Sequence, residues 1–241
     1  MSNFGKIIKN QTVKDSRLLL DHKVLVFKNL HIEDEESFIK VFAPAESSIL
    51  VDEDYDYSFF APLQSASPGE YGYYARWQND LCWDAKVADI CMMKILESVG
   101  ESNLISWVDL EKVRNLLDTK IVEFITKQNI TGWNIKNPRD LHQRQSQSEY
   151  KHPALRVHPE TNKESVFYSG PSTIGKDNDV WQEYLAYLLE FFQDEQNVFS
   201  TNWSTGDIIV WDNRCTTYSI NASPGSKIKK IIAQGSKPVW Y

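Results

Sequence analysis

The sequence has few cysteines, no long apolar run and no excess of basic residues. Its three cysteines, Cys82, Cys91 and Cys215, form no CxxC pair and are too sparse for a disulfide framework, so we expect reduced, buried thiols. No stretch approaches the roughly 20 apolar residues that a membrane helix needs. The 33 acidic residues outnumber the 26 basic ones, and the lysines are spread along the chain. These absences predict a soluble, cytoplasmic protein that has neither nucleic acid nor a membrane as a partner.

The hydrophobic residues, 41% of the chain, can bury a substantial core, and their spacing predicts mainly strands with helices between them. Strands are predicted at 23–27, 73–83, 87–96, 104–108, 154–158, 164–168, 198–203, 207–211 and 228–233. Helices are predicted after the acids at 34–36, from Asp109 onward and over 180–193. This pattern indicates an α+β, mainly β domain built on an antiparallel sandwich or barrel. We expect one domain over 1–241, with a loop or lid at 137–150.

Three segments carry specific motifs: GDIIVWDNR at 206–214, HPALRVHPET at 152–161 and WQND at 77–80. In order and spacing they resemble the taurine dioxygenase (TauD/TfdA-like) family of Fe(II)/2-oxoglutarate-dependent dioxygenases. That family has GD-x-x-x-WDNR, HPxxRxHPxTG and W-H-x-D, and Asn162 stands here where its hairpin usually has glycine. The resemblance implies a double-stranded β-helix, or jelly roll, with inserted and flanking helices. Its open end would hold iron between a His-x-Asp pair and a second histidine.

The metal positions depart from this pattern. Gln78 replaces the first histidine, Asp80 keeps the carboxylate, and Tyr218 stands four residues after the arginine of WDNR, where the second histidine is expected. Iron of this type needs two neutral imidazoles and one carboxylate, with positions left open for the cosubstrate and dioxygen. No obvious replacement exists among the five histidines, which are His22, His31, His142, His152 and His158. We therefore expect no bound metal, with Asp80 only as a residual ligand.

The cosubstrate positions differ too. Asn103 falls where the family's GGDT segment has its threonine, and Lys230 falls where an arginine pairs with the distal carboxylate of 2-oxoglutarate. A lysine offers a point charge instead of a bidentate fork, but it could still hold a carboxylate. Arg214 could contact a bound acid or form a salt bridge under the turn. Lys230, Asn103 and Arg214 are thus the candidate ligand-binding residues.

Without a metal, Asp80 would be a buried carboxylate that lacks its cation, which costs several kcal/mol. We therefore hypothesise that Gln78 or Tyr218 donates a hydrogen bond to Asp80 and that the metal site has become a polar network. Asp80 and Tyr218 are the candidate acid–base pair, with Gln78 beside them. Cys82, two residues after Asp80, could point the same way, although a plain buried thiol is the simpler interpretation.

Three functions remain open from the sequence. The first is non-redox catalysis on, or binding of, a small polar or acidic molecule, without a cofactor. The second is an active oxygenase that uses Fe(II) and 2-oxoglutarate with unconventional ligands, in which His142 or Cys82 approaches the metal. The third is a non-catalytic scaffold or partner protein. The sequence does not predict the substrate or the oligomeric state.

Overall fold

A computed structural model describes residues 3–9, 11, 13, 15–53, 55, 76–132, 150–170, 179–235 and 238. Its strands are β1 (Lys6–Lys9), β2 (Val24–Lys28), β3 (Ser48–Asp52), β4 (Ala88–Glu97), β5 (Leu104–Asp109), β6 (Asn129–Gly132), β7 (Tyr150–Pro153), β8 (Leu155–Val157), β9 (Glu164–Val166), β10 (Val198–Asn202), β11 (Ile208–Asp212), β12 (Thr216–Asn221) and β13 (Lys227–Gln234). Its helices are α1 (Arg17–His22), α2 (Glu35–Lys40), α3 (Leu110–Leu116), α4 (Thr119–Ile125) and α5 (Asp179–Gln193), followed by a 3-10 turn at Glu195–Asn197. Apart from Tyr150, the predicted loop or lid at 137–150 lies outside these residues.

Two sheets face each other across the core. The larger has the strand order β1-β2-β11-β4-β13-β3, and the smaller has the order β10-β5-β12. Their pairs are antiparallel except for β1 and β2. Side chains alternate between the two faces of a strand, so Trp211 of β11 points inward and packs against Trp107 of β5, with ring centroids 6.0 Å apart. The remaining strands form two small hairpin sheets, β6 with β7 and β8 with β9.

The outer face of the larger sheet is covered by α1 and α2. Asp34 begins α2 by accepting a hydrogen bond from the Ser37 backbone N–H at 3.0 Å, as short polar residues do at helix N-termini. Phe38 of this helix then packs edge-on against Phe27 of β2, with centroids 5.4 Å apart. Helices α3 to α5 enclose a separate apolar cluster with β8 and β9. No helix in the described part of the chain has the length and apolarity needed to cross a membrane.

Most predicted elements are present within a few residues of their expected bounds, but the strand predicted at 73–83 is wrong where the structure describes it. Residues 76–83 form turns, with one isolated bridge between Gln78 and Tyr218. Leu81 has a φ of 54°, which is incompatible with a strand. The aromatic residues that favoured a strand are explained differently, since Trp77 is buried against Phe192 of α5, with ring centroids 5.3 Å apart.

Candidate functional site

Gln78 and Tyr218 face each other through two backbone hydrogen bonds. The Gln78 N–H donates to the Tyr218 carbonyl at 2.7 Å, and the Tyr218 N–H donates to the Gln78 carbonyl at 3.0 Å. The Tyr218 hydroxyl then lies 3.4 Å from Oε1 of Gln78 and 3.1 Å from Oδ1 of Asp80. The three positions at which the resemblance places metal ligands are therefore adjacent in space.

Asn213, from the WDNR turn, fixes the backbone around Asp80. Its side-chain oxygen accepts a hydrogen bond from the Asp80 N–H at 3.3 Å, and its amide nitrogen donates to the Asp80 carbonyl at 3.3 Å and to the Ala88 carbonyl at 3.0 Å. Asn79 returns the contact by donating to the Asn213 carbonyl at 2.7 Å. Both asparagines are buried. The WDNR turn thus sets the position of the Asp80 carboxylate.

Asp80 lies at the centre of a buried group of side chains. Its Oδ1 accepts hydrogen bonds from Nζ of Lys230 at 2.6 Å and from the Tyr218 hydroxyl at 3.1 Å, and its Oδ2 accepts from the Cys91 thiol at 3.1 Å. We call Asp80, Lys230, Tyr218, Cys91 and the adjoining Tyr55 the central network. The hydrogen bond predicted from Tyr218 to Asp80 is confirmed. Lys230, predicted to hold a bound acid, forms an ion pair with Asp80.

The directions of these hydrogen bonds follow from the donors available. An ammonium group only donates, so the Tyr218 oxygen accepts a hydrogen bond from Lys230 at 2.6 Å. The Tyr218 hydroxyl in turn donates its hydrogen bond to Asp80. The remaining lone pair of Tyr218 can then accept from the Tyr55 hydroxyl, 3.2 Å away. Tyr55 is held in place by its backbone N–H, which donates to the Ile228 carbonyl at 3.1 Å. Every polar atom of Tyr218 is therefore used.

Aromatic rings surround the Lys230 ammonium. Its nitrogen lies 4.3 Å from the ring centroid of Tyr55, 4.9 Å from that of Tyr218 and 5.8 Å from that of Trp211. These separations lie within the range of cation–π attraction. Lys230 is only 2% exposed, so the ammonium exchanges its hydration for one carboxylate, one phenol oxygen and ring faces.

The charges of the central network follow from burial and from the ion pair. Burial alone would lower the pKa of Lys230, but the negative charge of Asp80 outweighs it, so the net effect raises this pKa above its ordinary value. Burial raises the pKa of Tyr218 and of Cys91, and the neighbouring Asp80 charge raises both further. Near neutral pH Lys230 is therefore an ammonium group, and the Tyr218 phenol and the Cys91 thiol are uncharged.

A second buried group surrounds Asp212 of the WDNR turn. Arg214 donates to the Asp212 carboxylate through Nε at 2.8 Å and Nη2 at 2.6 Å. Its Nη1 donates to Glu160 at 2.5 Å. His158 Nδ1 accepts hydrogen bonds from the backbone N–H groups of Glu160 and Thr161, so the ring proton lies on Nε2. Nε2 then donates a hydrogen bond to Asp212 at 2.9 Å. We call Asp212, Arg214, His158 and Glu160 the hairpin network. Of the two roles considered for Arg214, the structure contains the salt bridge.

His158, Asp212 and Cys215 place potential ligand atoms within 4.8 Å of one another, but they do not suit a metal ion. Both ring nitrogens of His158 already have partners, and the Asp212 carboxylate is paired with Arg214. Burial raises the pKa of Cys215, with the charge of Asp212 adding to the effect, so a thiolate is disfavoured. Burial would raise the pKa of Asp212 itself, but Arg214 and then His158 bring it well below its ordinary value.

Asn103 lies away from these contacts, in the connection between β4 and β5. Its amide nitrogen donates to Ser98 Oγ at 2.8 Å and to the Val99 carbonyl at 2.9 Å, and its oxygen accepts from the Ser223 N–H at 2.8 Å. The side chain therefore ties this turn to the one that follows β12. These bonds satisfy it without a ligand.

Cys82 is a buried thiol away from Asp80, as its simpler interpretation predicted, and Cys91 is the thiol that contacts Asp80. Cys82, the candidate two residues after Asp80, donates to Ser169 Oγ at 3.3 Å. Cys91 contacts Asp80 instead and was missed, although the alternation along β4 places it on the same inner face as Met93. Tyr55 was also missed, since no motif marks it. His142 lies outside the described residues.

Comparisons with known proteins identify the family of the chain. The model of the Taurine catabolism dioxygenase TauD, TfdA family matches residues 3–218. An alkylsulfatase from Acinetobacter baylyi is 25% identical over 227 residues, covering 84% of this chain and 69% of the relative. A (S)-phenoxypropionate/alpha-ketoglutarate-dioxygenase from Delftia acidovorans is 32% identical over 65 residues, covering 26% of this chain and 22% of the relative.

Solved structures share the fold across almost the whole chain. A taurine dioxygenase from Burkholderia xenovorans superposes with a TM-score of 0.70 at 15% identity, covering 98% of this chain and 89% of the other. A structure described as AAD-2 in complex with Mn(II) and N-oxalylglycine gives a TM-score of 0.70 at 14% identity, covering 98% and 96%. These matches confirm the predicted jelly roll. With the family model matching 3–218, the chain belongs to the Taurine catabolism dioxygenase TauD, TfdA family.

Proposed function

We propose that this chain binds a small polar or acidic molecule and does not carry out iron-dependent oxidation. The observation that carries the proposal is the Lys230 ammonium, 2.6 Å from the Asp80 carboxylate. In this family a carboxylate at that position is expected to hold the metal. Here the ammonium group of Lys230 forms an ion pair with that carboxylate.

The residues at the three ligand positions do not fit Fe(II). Gln78 offers a neutral amide oxygen, and Tyr218 offers a phenol whose pKa is raised by burial, so neither replaces an imidazole. Oδ1 of Asp80 is shared by two donors, and the neighbouring ammonium would repel a dication. Iron could bind only if Lys230 moved away and two further ligands were supplied.

Binding is better supported than non-redox catalysis. An acid–base mechanism would use Asp80 and Tyr218, but Tyr218 is fully buried and its proton and lone pairs all have partners. A group with a raised pKa and no free lone pair is a poor base near neutral pH. Tyr55 of the central network and the adjoining Gln78 are only partly buried, so these two side chains would contact a bound ligand. The relatives named alkylsulfatase and (S)-phenoxypropionate dioxygenase suggest that organic acids are the class to test first.

The test begins with protein purified anaerobically and offered Fe(II), followed by metal analysis and by succinate detection with 2-oxoglutarate. We expect iron far below one equivalent and no succinate. A panel of small organic acids and neutral polar compounds is then screened by thermal denaturation. A ligand present at 100 times its Kd stabilises the fold by about 2.7 kcal/mol, which is readily detected.

The outcomes separate the three candidate functions. Near-stoichiometric iron with succinate formation would contradict the proposal and favour an oxygenase with unconventional ligands. No iron, together with no stabilising compound, would favour a scaffold. A stabilising compound whose effect is weakened in Gln78→Ala, but unchanged in the distant Gln196→Ala, would support binding at the central network.

A further inference from the structure

We infer that Lys230 is a tethered cation that fills the metal position of this fold, and that removing it uncovers a site for a small free ammonium ion. This inference concerns the cation alone and does not depend on which molecule the protein binds. Lys230 Nζ contacts two of the three ligand positions, Asp80 and Tyr218, each at 2.6 Å. The third position, Gln78, adjoins the same phenol oxygen at 3.4 Å.

The surroundings of this nitrogen have the composition of an ammonium-binding site. A carboxylate supplies the opposite charge, a phenol oxygen accepts a second hydrogen bond, and the rings of Tyr55, Tyr218 and Trp211 lie within 5.8 Å. Aromatic rings of this kind bind organic ammonium ligands in other proteins. Here the ammonium group belongs to a side chain of β13, whose backbone is paired with β4 on one side and β3 on the other.

Anchoring of the partners makes the site persist without the lysine. The side chain of Asn213 fixes Asp80 through two hydrogen bonds to the Asp80 backbone, each 3.3 Å long, and neither involves Lys230. Tyr218 is fixed by its two backbone hydrogen bonds to Gln78. Lys230→Ala would remove the ammonium and most of its aliphatic stem, and so leave a space beside an unpaired carboxylate. Methylammonium carries the same charged group and could enter that space.

The same geometry predicts selectivity for a monovalent ammonium over a divalent metal. The Tyr218 hydroxyl donates its hydrogen to Oδ1 of Asp80 at 3.1 Å and accepts from Lys230 at 2.6 Å, and a protonated phenol is a poor metal ligand. Only one carboxylate is then available to a dication among the residues that contact Lys230 Nζ. An ammonium needs hydrogen-bond acceptors and ring faces, which the site keeps.

The experiment measures the thermal midpoint, Tm, of Lys230→Ala as methylammonium chloride is titrated against sodium chloride at equal ionic strength. We expect Lys230→Ala to lose stability and then to recover at least about 2 °C in a saturable way, which corresponds to roughly 1 kcal/mol for a chain of this size. Wild type and Lys230→Met, whose side chain still fills the space, should not respond. Lys229→Ala, on the opposite face of the same strand, is the matched control.

Further variants decide the result. Lys230→Ala combined with Asp80→Asn should not respond to methylammonium, because the charge that attracts it is gone. Equal responses of wild type and Lys230→Ala, or a larger response to Mn(II) than to methylammonium, would overturn the inference. If Lys230→Ala does not fold, Lys230→Met is compared with Lys230→Met/Asp80→Asn. A Tm higher in the double variant than in Lys230→Met would show that the lysine compensates the Asp80 charge, and so would support the inference. An equal or lower Tm in the double variant would refute it.

Discussion

The central network and the hairpin network are both buried, both contain an ion pair, and both are built on motif segments of the family. The hairpin network keeps the motif residues Asp212, Arg214 and His158, and both ring nitrogens of His158 and both carboxylate oxygens of Asp212 are hydrogen-bonded within the protein. At the central network, two of the three expected ligand positions hold Gln78 and Tyr218, and Lys230, at the expected arginine position, pairs with Asp80. Motif residues that hold the turn therefore remain, while two of the three that would hold a metal differ. A matching motif alone consequently does not indicate that the chemistry is present.

The comparison predicts that breaking the hairpin network has the largest effect on stability. Asp212→Ala leaves Arg214 and His158 without their buried partner, and loss of one side of a buried pair costs roughly 3–5 kcal/mol. Urea denaturation measures the change in the free energy of unfolding. Asp21→Ala, at an exposed position of α1, is the control and should stay within about 0.5 kcal/mol of wild type. A loss below about 1 kcal/mol would contradict the architectural role of this network.

His152 of the hairpin motif should make the stability of the fold depend on pH. Burial, together with the positive charge of Arg156, lowers the pKa of His152 to about 4, whereas an unfolded histidine titrates at about 6.5. Between these values the unfolded chain binds more protons than the folded one. Stability should therefore fall as the pH decreases from about 6.5 to about 4.

The test compares urea midpoints of wild type and His152→Phe across this pH range. The variant keeps a ring between Tyr150 and Phe167 but cannot take up a proton, so its midpoint should depend less on pH. The same substitution at the exposed His31 should leave the slope unchanged. An unaltered slope in His152→Phe would show that another group causes the acid sensitivity.

Within the central network, Tyr218→Phe should cost less than Asp212→Ala. The ring stays buried, and the Lys230–Asp80 pair remains, but the hydroxyl's bonds to Asp80, Lys230 and Tyr55 are lost. We expect a loss of roughly 1–3 kcal/mol in the free energy of unfolding. Tyr187→Phe on α5, a partly buried tyrosine, serves as the control. A loss larger than that of Asp212→Ala would reverse the comparison between the two networks.

The smallest effect is expected for Gln78→Ala. Its side-chain contacts are long, 3.4 Å to the Tyr218 hydroxyl and 3.5 Å to the Arg76 carbonyl, and the bridge to Tyr218 is made by the backbone. The free energy of unfolding should change by about 0.5 kcal/mol or less. A loss above about 2 kcal/mol would indicate that the amide supports the central network directly.

The jelly roll and most strands could be predicted because strand residues alternate between faces and because the WDNR turn is specific. The strands β1, β3, β6, β7 and β12 were missed. β12 reads Thr-Thr-Tyr-Ser-Ile-Asn and is mostly polar, but its backbone is paired with β5 over its whole length. Hydrophobicity was a poor guide there, because the Thr and Tyr residues of β12 favour strands and are buried in the sheet although they are polar. The strand predicted at 73–83 is wrong over 76–83 for the opposite reason, since Trp77 packs against Phe192 from a turn.

The sequence by itself determined the family, the absence of imidazoles at Gln78 and Tyr218, and the need for a partner at Asp80. These conclusions follow from residue identity and spacing along the chain. Only the tertiary structure decided that the partner is Lys230, which lies 150 positions later on β13, and that Cys91 and Tyr55 complete the group. A buried charge is neutralised by whichever group the packing of strands brings within reach, and that distance through space cannot be read from the sequence.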